Sequence, residues 1–298
     1  MNNASLQKHI QIFKTAHHRL YIFILCTLLG ISLAALFWFE YRYLLPGMDW
    51  IRTFRPATLE LLSGRTPYAV RTFFMPPWAL LPFVPFVWLP ERLGGVILTN
   101  LGILAYVYLL YKLKARPAAA LAFLLSPAAI VGLHSGNIDW LVMLGFVLPP
   151  PIGLFLVMIK PQVGIAVAVY WLFISWKEGK IKKVFQSFTP VVLAYLLSFA
   201  AYGFWLQKAD TLVQGSSLRG YMDINLWPMS IPLGLVLLVV ALRQRNQFFA
   251  FMASPFLSPY VGGNSYAVVI LGLVRYPLEA VVASAGLWIA MLVYRIYP

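Results

Sequence analysis

Apolar residues occupy this chain in long runs, at 20–39, 93–112, 117–133, 138–149, 151–160, 162–176, 187–206, 226–242, 247–258, 265–275 and 279–295. Short basic or proline-rich breaks separate them. The pattern predicts an all-α fold, a polytopic transmembrane helical bundle of about ten to eleven spans. Several runs are shorter than the ~20 residues a lone spanning helix needs, so those spans must be tilted, broken or shielded by neighbours. The apolar stretch 75–90 carries Pro76, Pro77, Pro82, Pro85 and Pro90. It is expected to lie in the interface or re-enter rather than span as one helix.

Charge orients the runs. Lys8, Lys14 and Arg19, then Lys112/Lys114/Arg116, Lys177/Lys180/Lys182/Lys183 and Arg243/Arg245, belong on the cytoplasmic side by the positive-inside rule. The expectation is a single integral membrane domain over 1–298. Within it, 1–19 is a cytoplasmic N-terminus, 40–92 an extracytoplasmic or interfacial loop, and 93–298 the bundle. Glu40, Asp49, Glu60, Glu91, Asp139, Asp210 and Asp223 then fall outside, and Glu178 and Glu279 do not. The acids played no part in the orientation, so their gathering suggests a polar site on one face. The first run ends in Phe37-Trp38-Phe39 without a small-residue cleavage pattern, and reads as a retained anchor in a prokaryotic plasma membrane.

Composition agrees. The chain is 61% hydrophobic and 11% charged, against about 25% charged in soluble domains. The net charge of +14 fits positive-inside bias and anionic-lipid contact, and nucleic acid is not expected as a partner. One cysteine, Cys26, excludes an intrachain disulfide, and His9, His17, His18 and His134 have no zinc spacing; Asp139 could hold a divalent metal, but no second carboxylate is spaced to complete a site, so no obligatory metal is expected.

The loop after the first run sets Asp49 among Arg42, Arg52, Arg55, Arg65 and Arg71. A carboxylate and several guanidiniums at a membrane face suit chemistry on an anionic lipid. Within the loop, Pro56 to Ser63 followed by Gly64 predicts a short helix with Leu59, Leu61 and Leu62 buried against the membrane interface and Glu60 facing out.

Five blocks resemble a known family. They are Asp49 after the first run with Ser63-Gly64-Arg65-Thr66-Pro67-Tyr68; Pro76-Pro77-Trp78-Ala79-Leu80-Leu81; His134-Ser135-Gly136-Asn137-Ile138-Asp139; Ile159-Lys160-Pro161-Gln162; and Ser258-Pro259-Tyr260 with Asn264 and Tyr266. In this order they resemble the C-type glycosyltransferases, closest to the polyprenyl-phosphate-mannose-dependent mannosyltransferases of family 87. The resemblance covers residues 40 to about 270. Members are usually longer, Asn137 and Asp139 replace the usual Gln and Asn, and the His that often follows the late Ser-Pro is absent.

The resemblance implies transfer of a sugar, mannose, from a polyprenyl-phosphate donor to an acceptor on the extracytoplasmic face, with inversion and no obligatory cofactor. It makes Asp49 the base. Lys160, Arg52, Arg55, Arg65, Arg71, His134, Asn137, Asp139, Gln162, Tyr260, Asn264 and Tyr266 become candidate substrate contacts. Each has a plainer reading. Asp49 can pair with Arg52, the arginines can meet lipid headgroups, Asn137 can cap a helix, and Trp78, Trp140, Tyr260 and Tyr266 can form an interfacial belt. Lys160 breaks an apolar stretch, and an ionisable residue at membrane depth is a functional candidate by default. Two other functions stay open: a catalytically degenerate relative serving as a structural subunit of a membrane complex, and a lipid or solute transporter. The acceptor is not read from the sequence.

Overall fold

The computed structural model describes residues 24, 27, 30–32, 34–208 and 226–296. Lys8, Lys14, Arg19, His9, His17, His18, Cys26, Asp210 and Asp223 lie outside the described residues, as does much of the run 20–39. Among the described residues all regular structure is helical. Contacts divide the chain into Met1–Leu45 and Pro46–Pro298. In the first unit residues 34–43 are helical, and the exposed rings of Phe39 and Trp38 pack on Tyr43 with centroids 5.3 and 5.8 Å away.

The second unit opens with a wide π turn, Trp50–Phe54, that runs into α1, Arg55–Leu62. Pro56 sits in the first turn of α1. Gly64, at φ 74°, ends it by letting the Gly64 and Arg65 amides return to the Leu61 and Glu60 carbonyls. Leu59 and Leu61 pack against the core while Leu62 is exposed, and Glu60 is held by Arg65 at 2.6 Å. The proline-rich stretch forms 3-10 turns over Pro77–Phe86, because prolines spaced three apart deny the α-helical donors. It buries Phe83 against Phe54, rings stacked 4.7 Å apart.

Helix α2, Glu91–Lys112, follows. Then come α3, Pro117–Leu124, and α4, Pro127–His134, bent by 47° where Ser126 caps a helix that begins on a proline. The short helices α5, Asp139–Leu144, and α6, Pro150–Val157, lead into α7, Pro161–Tyr202. Helices α8, Ile231–Gln244, α9, Gln247–Phe256, α10, Ala267–Gly272, and α11, Pro277–Ile296, complete the unit. By length and composition α2 and α7 can cross a membrane, with α3–α4 a third candidate if the bent pair is one span.

Helix α7 is not straight. Gly179 (φ −146°, ψ 21°) and Lys180 (φ 51°, ψ −146°) break it. The hydroxyls of Ser175 and Ser187 then lie 3.3 Å apart, whereas twelve residues of straight helix would separate them by about 18 Å. The Tyr195 hydroxyl, far along the second arm, donates to the Met158 carbonyl before the first arm begins. The element is a helical hairpin with an elbow of lysines, matching the separate runs read at 162–176 and 187–206.

The ends of α2 define two poles. The Trp50 indole donates to the Glu91 carbonyl at its start. Lys112 lies 21 residues on, about 32 Å away. Beyond it the Arg116 amide donates to the Val274 carbonyl and Arg275 to the Leu113 carbonyl, and the Arg275 guanidinium covers the Phe248 ring. Arg245 and Glu178 both lie within electrostatic reach of Tyr170. The breaks carrying the basic clusters therefore gather at the pole opposite Asp49.

Candidate functional site

Asp49 is placed by backbone contacts before its carboxylate meets anything. Gly47 approaches the Ser135–Gly136 peptide so closely that a Cβ there would lie 2.4 Å from the Gly136 nitrogen. Gly136 itself turns at φ 71° to end the α4 segment. This approach lets the Asp49 amide donate to the Ser135 carbonyl at 2.8 Å, and it presents the side chain to the turn that carries Asn137.

From there one polar chain runs inward. Asn137 donates its Nδ2 to Asp49 Oδ2 at 2.8 Å and accepts from Lys160 Nζ on Oδ1 at 2.9 Å. Its anionic and cationic neighbours fix which way the amide faces. Lys160 also donates to Asp139 Oδ1 at 2.5 Å, and Asn264 Nδ2 donates to Asp139 Oδ2 at 2.5 Å, with the Ser265 hydroxyl 3.5 Å from the same oxygen. Lys160 is 5% and Asp139 1% exposed, so this is a buried ion pair whose remaining lone pairs are met by side chains. Lys160 stands just before α7, where Pro161 starts the helix. A cation is disfavoured at a helix N-terminus, and Asp139, in the first turn of α5, offsets it.

Asp49 is half-buried, and its carboxyl is pushed above the ordinary value of 3.8 mainly by burial. Lys160 and the Asn137 hydrogen bond oppose that rise, and Asp139 adds to it. The result is a carboxylate with more proton affinity than an exposed one, coupled through one amide to a buried ammonium. Such a group can accept a proton from a hydroxyl.

The other residues singled out from the sequence fall into distinct places. Arg55 pairs with Glu91 at 3.1 Å and Arg65 with Glu60 at 2.6 Å. Arg52 and Arg71 are exposed and form no ion pair among the described residues. The Thr53 hydroxyl donates to Thr72 at 2.7 Å and Thr72 to the Arg52 carbonyl at 3.1 Å, which brings the two arginine-bearing segments together. His134 is exposed at the end of α4, and Gln162 half-buried in the first turn of α7. Tyr260 lies in a turn closed by Ser258, and Tyr266 is buried beside Phe256.

Three aromatic residues, Tyr266, Trp140 and Trp78, do not form the expected belt. Trp140 is 8% exposed and packs on α2 where Gly102 leaves room. Trp78 donates to the Phe155 carbonyl and meets Tyr195 edge-on at 4.8 Å. Trp78 joins an aromatic clasp in which Trp205 stacks on Tyr68 at 5.4 Å and on Tyr195 at 6.0 Å. The polar tips of Tyr68, Tyr195 and Trp205 are engaged by protein groups, so the clasp ties the 67–78 loop to the hairpin. Burial also pushes the Tyr68 hydroxyl up.

Sequence reasoning missed Gly47, the Ser135 carbonyl and Ser265. The Pro46-Gly47 pair just before Asp49 is the one signal that pointed to a close turn. No group of three or more His, Cys, Asp or Glu able to hold a metal occurs among the described residues. No family model, curated protein or solved structure matches the chain.

Proposed function

We propose that this chain is a multi-span membrane glycosyltransferase that moves a sugar from a polyprenyl phosphate to a hydroxyl acceptor, with inversion and with Asp49 as base. The observation that carries this reading is the single hydrogen-bonded network joining Asp49, Asn137, Lys160, Asp139 and Asn264 across as many as 125 residues of sequence. These residues come from the blocks that resemble the family 87 mannosyltransferases, and mannose is the sugar that resemblance implies.

In the proposed step the acceptor oxygen attacks the anomeric carbon as the bond from that carbon to the phosphate oxygen breaks. The acceptor proton passes to Asp49, and the lipid phosphate leaves with the bonding pair. Burial raises the proton affinity of Asp49, which suits it to the task. Lys160 and Asn137 hold the carboxylate in place and limit that rise. An ammonium has three donors. Two are used on Asp139 and Asn137, leaving one for the phosphate. Arg52 and Arg71 are better phosphate candidates than Arg55 and Arg65, whose charges are already matched by Glu91 and Glu60.

The proposed topology puts this pole outside and the basic pole in the cytoplasm. Both α2 and the first arm of α7 place about 27–32 Å between the poles, close to the ~30 Å of a bilayer core. With both arms of α7 as crossings, the count moves toward the many-span bundle read from the sequence.

A second reading is a catalytically inert structural subunit. The buried pairing of Lys160 with Asp139 favours it, because such a pair also works as a clasp. Purified protein in liposomes carrying polyprenyl-phosphate mannose and candidate hydroxyl acceptors separates the two. Transfer by wild type and none by Asp49→Asn supports catalysis. No transfer, no binding of the lipid phosphate and a co-purifying membrane partner would favour the subunit.

A further inference from the structure

Helices in this chain end or break at positive-φ residues at both poles, and the residue types at those positions differ by pole. Around Asp49 the turns are made by Gly64 (φ 74°), Gly136 (φ 71°) and Gly203 (φ 73°), the last just before the Trp205 clasp. At the opposite pole the positive-φ residues are Lys114 (φ 55°), Lys180 (φ 51°) and Arg245 (φ 50°). The Lys114 and Arg245 turns close as the Gly136 turn does, whereas Lys180 (φ 51°, ψ −146°) breaks the α7 hairpin. The Lys114 and Ala115 amides return to the Tyr111 and Leu110 carbonyls, as the Gly136 and Asn137 amides return to those of Leu133 and Gly132. Asn246 likewise returns to Ala241 around Arg245.

Glycine takes this backbone without steric cost, and an L side chain does not. At the elbow a glycine is present, yet Gly179 has φ −146° and the positive φ falls on Lys180. The attraction of a cation to the last carbonyls of a helix operates at either pole, so it does not explain why cations occupy only one. All three side chains are exposed. Exposed Trp176, Ile181 and Phe185 flank Lys180 at 48%, 54% and 62%. Apolar side chains beside cations suit the boundary between headgroups and acyl chains, and do not suit a wholly polar polyanion.

We infer that Lys114, Lys180 and Arg245 form a built contact for an anionic lipid surface, three cations fixed on short turns that seat this pole at headgroup level. The inference rests on the chain crossing a membrane and is independent of glycosyl transfer. Each cation near an anionic surface adds about fivefold to binding.

The test uses full-length protein in nanodiscs of phosphatidylcholine and of phosphatidylcholine with phosphatidylglycerol. Two readouts are taken: the preference for spin-labelled phosphatidylglycerol over phosphatidylcholine, and the thermal midpoint. Wild type is expected to prefer phosphatidylglycerol severalfold and to lose the preference in high salt. The triple variant Lys114→Gly, Lys180→Gly, Arg245→Gly leaves Lys112, Arg116, Lys177, Lys182, Lys183 and Arg243 at this pole and is expected to weaken the preference severalfold, with a midpoint in phosphatidylcholine equal to or above that of wild type. An undiminished preference in that variant overturns the inference. Should its midpoint fall, the triple glutamine variant at the same positions decides. It keeps side-chain bulk, so a weakened preference supports the lipid contact and an undiminished one overturns it. Displacement of phosphatidylglycerol from wild type by an RNA or an acidic peptide also counts against a lipid surface.

Discussion

Removing Lys160 while leaving Asp139 would strand a carboxylate that is 1% exposed. Asp139 would keep Asn264 at 2.5 Å and Ser265 at 3.5 Å but lose the cation that pairs with it. Breaking a buried pair from one side costs about 3–5 kcal/mol, because an uncompensated charge remains in a low-dielectric site. The methionine in Lys160→Met fills most of the lysine volume, so the loss is electrostatic rather than a cavity. For a chain of this size that is a fall in thermal midpoint of about 6–20 °C. Asp139→Asn alone leaves Lys160 charged and buried and is expected to cost a similar amount. The double variant removes both charges and should recover most of the loss, giving a coupling energy of about 2 kcal/mol or more. Thermal unfolding of the four proteins in one detergent, followed by far-UV circular dichroism, measures this. Additive single effects, or singles costing under about 1 kcal/mol, would refute the buried pair.

Three further outcomes follow from the geometry. Asp49 binds its proton more tightly in the folded chain than its ordinary value of 3.8 implies, so folding loses stability as pH rises through the folded-state pKa and recovers it below 3.8. Asp49→Asn cannot ionise, and is expected to be the more stable protein at neutral pH with the advantage vanishing on acidification; denaturant titrations across pH would show a constant difference if the reasoning fails. Gly47→Ala places a Cβ 2.4 Å from backbone and should cost about 1–3 kcal/mol, while a midpoint unchanged from wild type would contradict the close approach. Paired cysteines at Ser175 and Ser187 should cross-link on mild oxidation, since their hydroxyls are 3.3 Å apart; absence of the cross-link would mean that α7 does not fold back.

Much of the helical plan was legible because it is local. Apolar runs, proline starts and basic breaks fix where helices begin and end, and the two arms of α7 read as separate runs from the lysines between them. The proline spacing likewise foretold that 75–90 would not form one α-helix. What depends on distance was not legible. Asn137 meets Asp49 across 88 residues and Asn264 meets Asp139 across 125, and no periodicity encodes those meetings. The sequence marks Asp49 as base and Lys160 as the sharpest of the other candidates, and geometry sorts the rest: Asn137, Lys160, Asp139 and Asn264 join Asp49. The arginines looked equivalent until Glu60 and Glu91 took two of them. Trp78 and Trp140 resembled belt residues because tryptophan favours interfaces, yet a backbone carbonyl and a glycine gap draw them into the core.

Sugar transfer from a lipid phosphate by the Asp49 network is a proposal that one assay reaches directly. The most direct measurement is sugar release from radiolabelled polyprenyl-phosphate mannose in liposomes, comparing wild type with Asp49→Asn. Wild type is expected to yield labelled acceptor and the variant at least about a hundredfold less, folded protein being verified by an unchanged thermal midpoint or a higher one. Equal transfer by the two proteins would contradict the proposal.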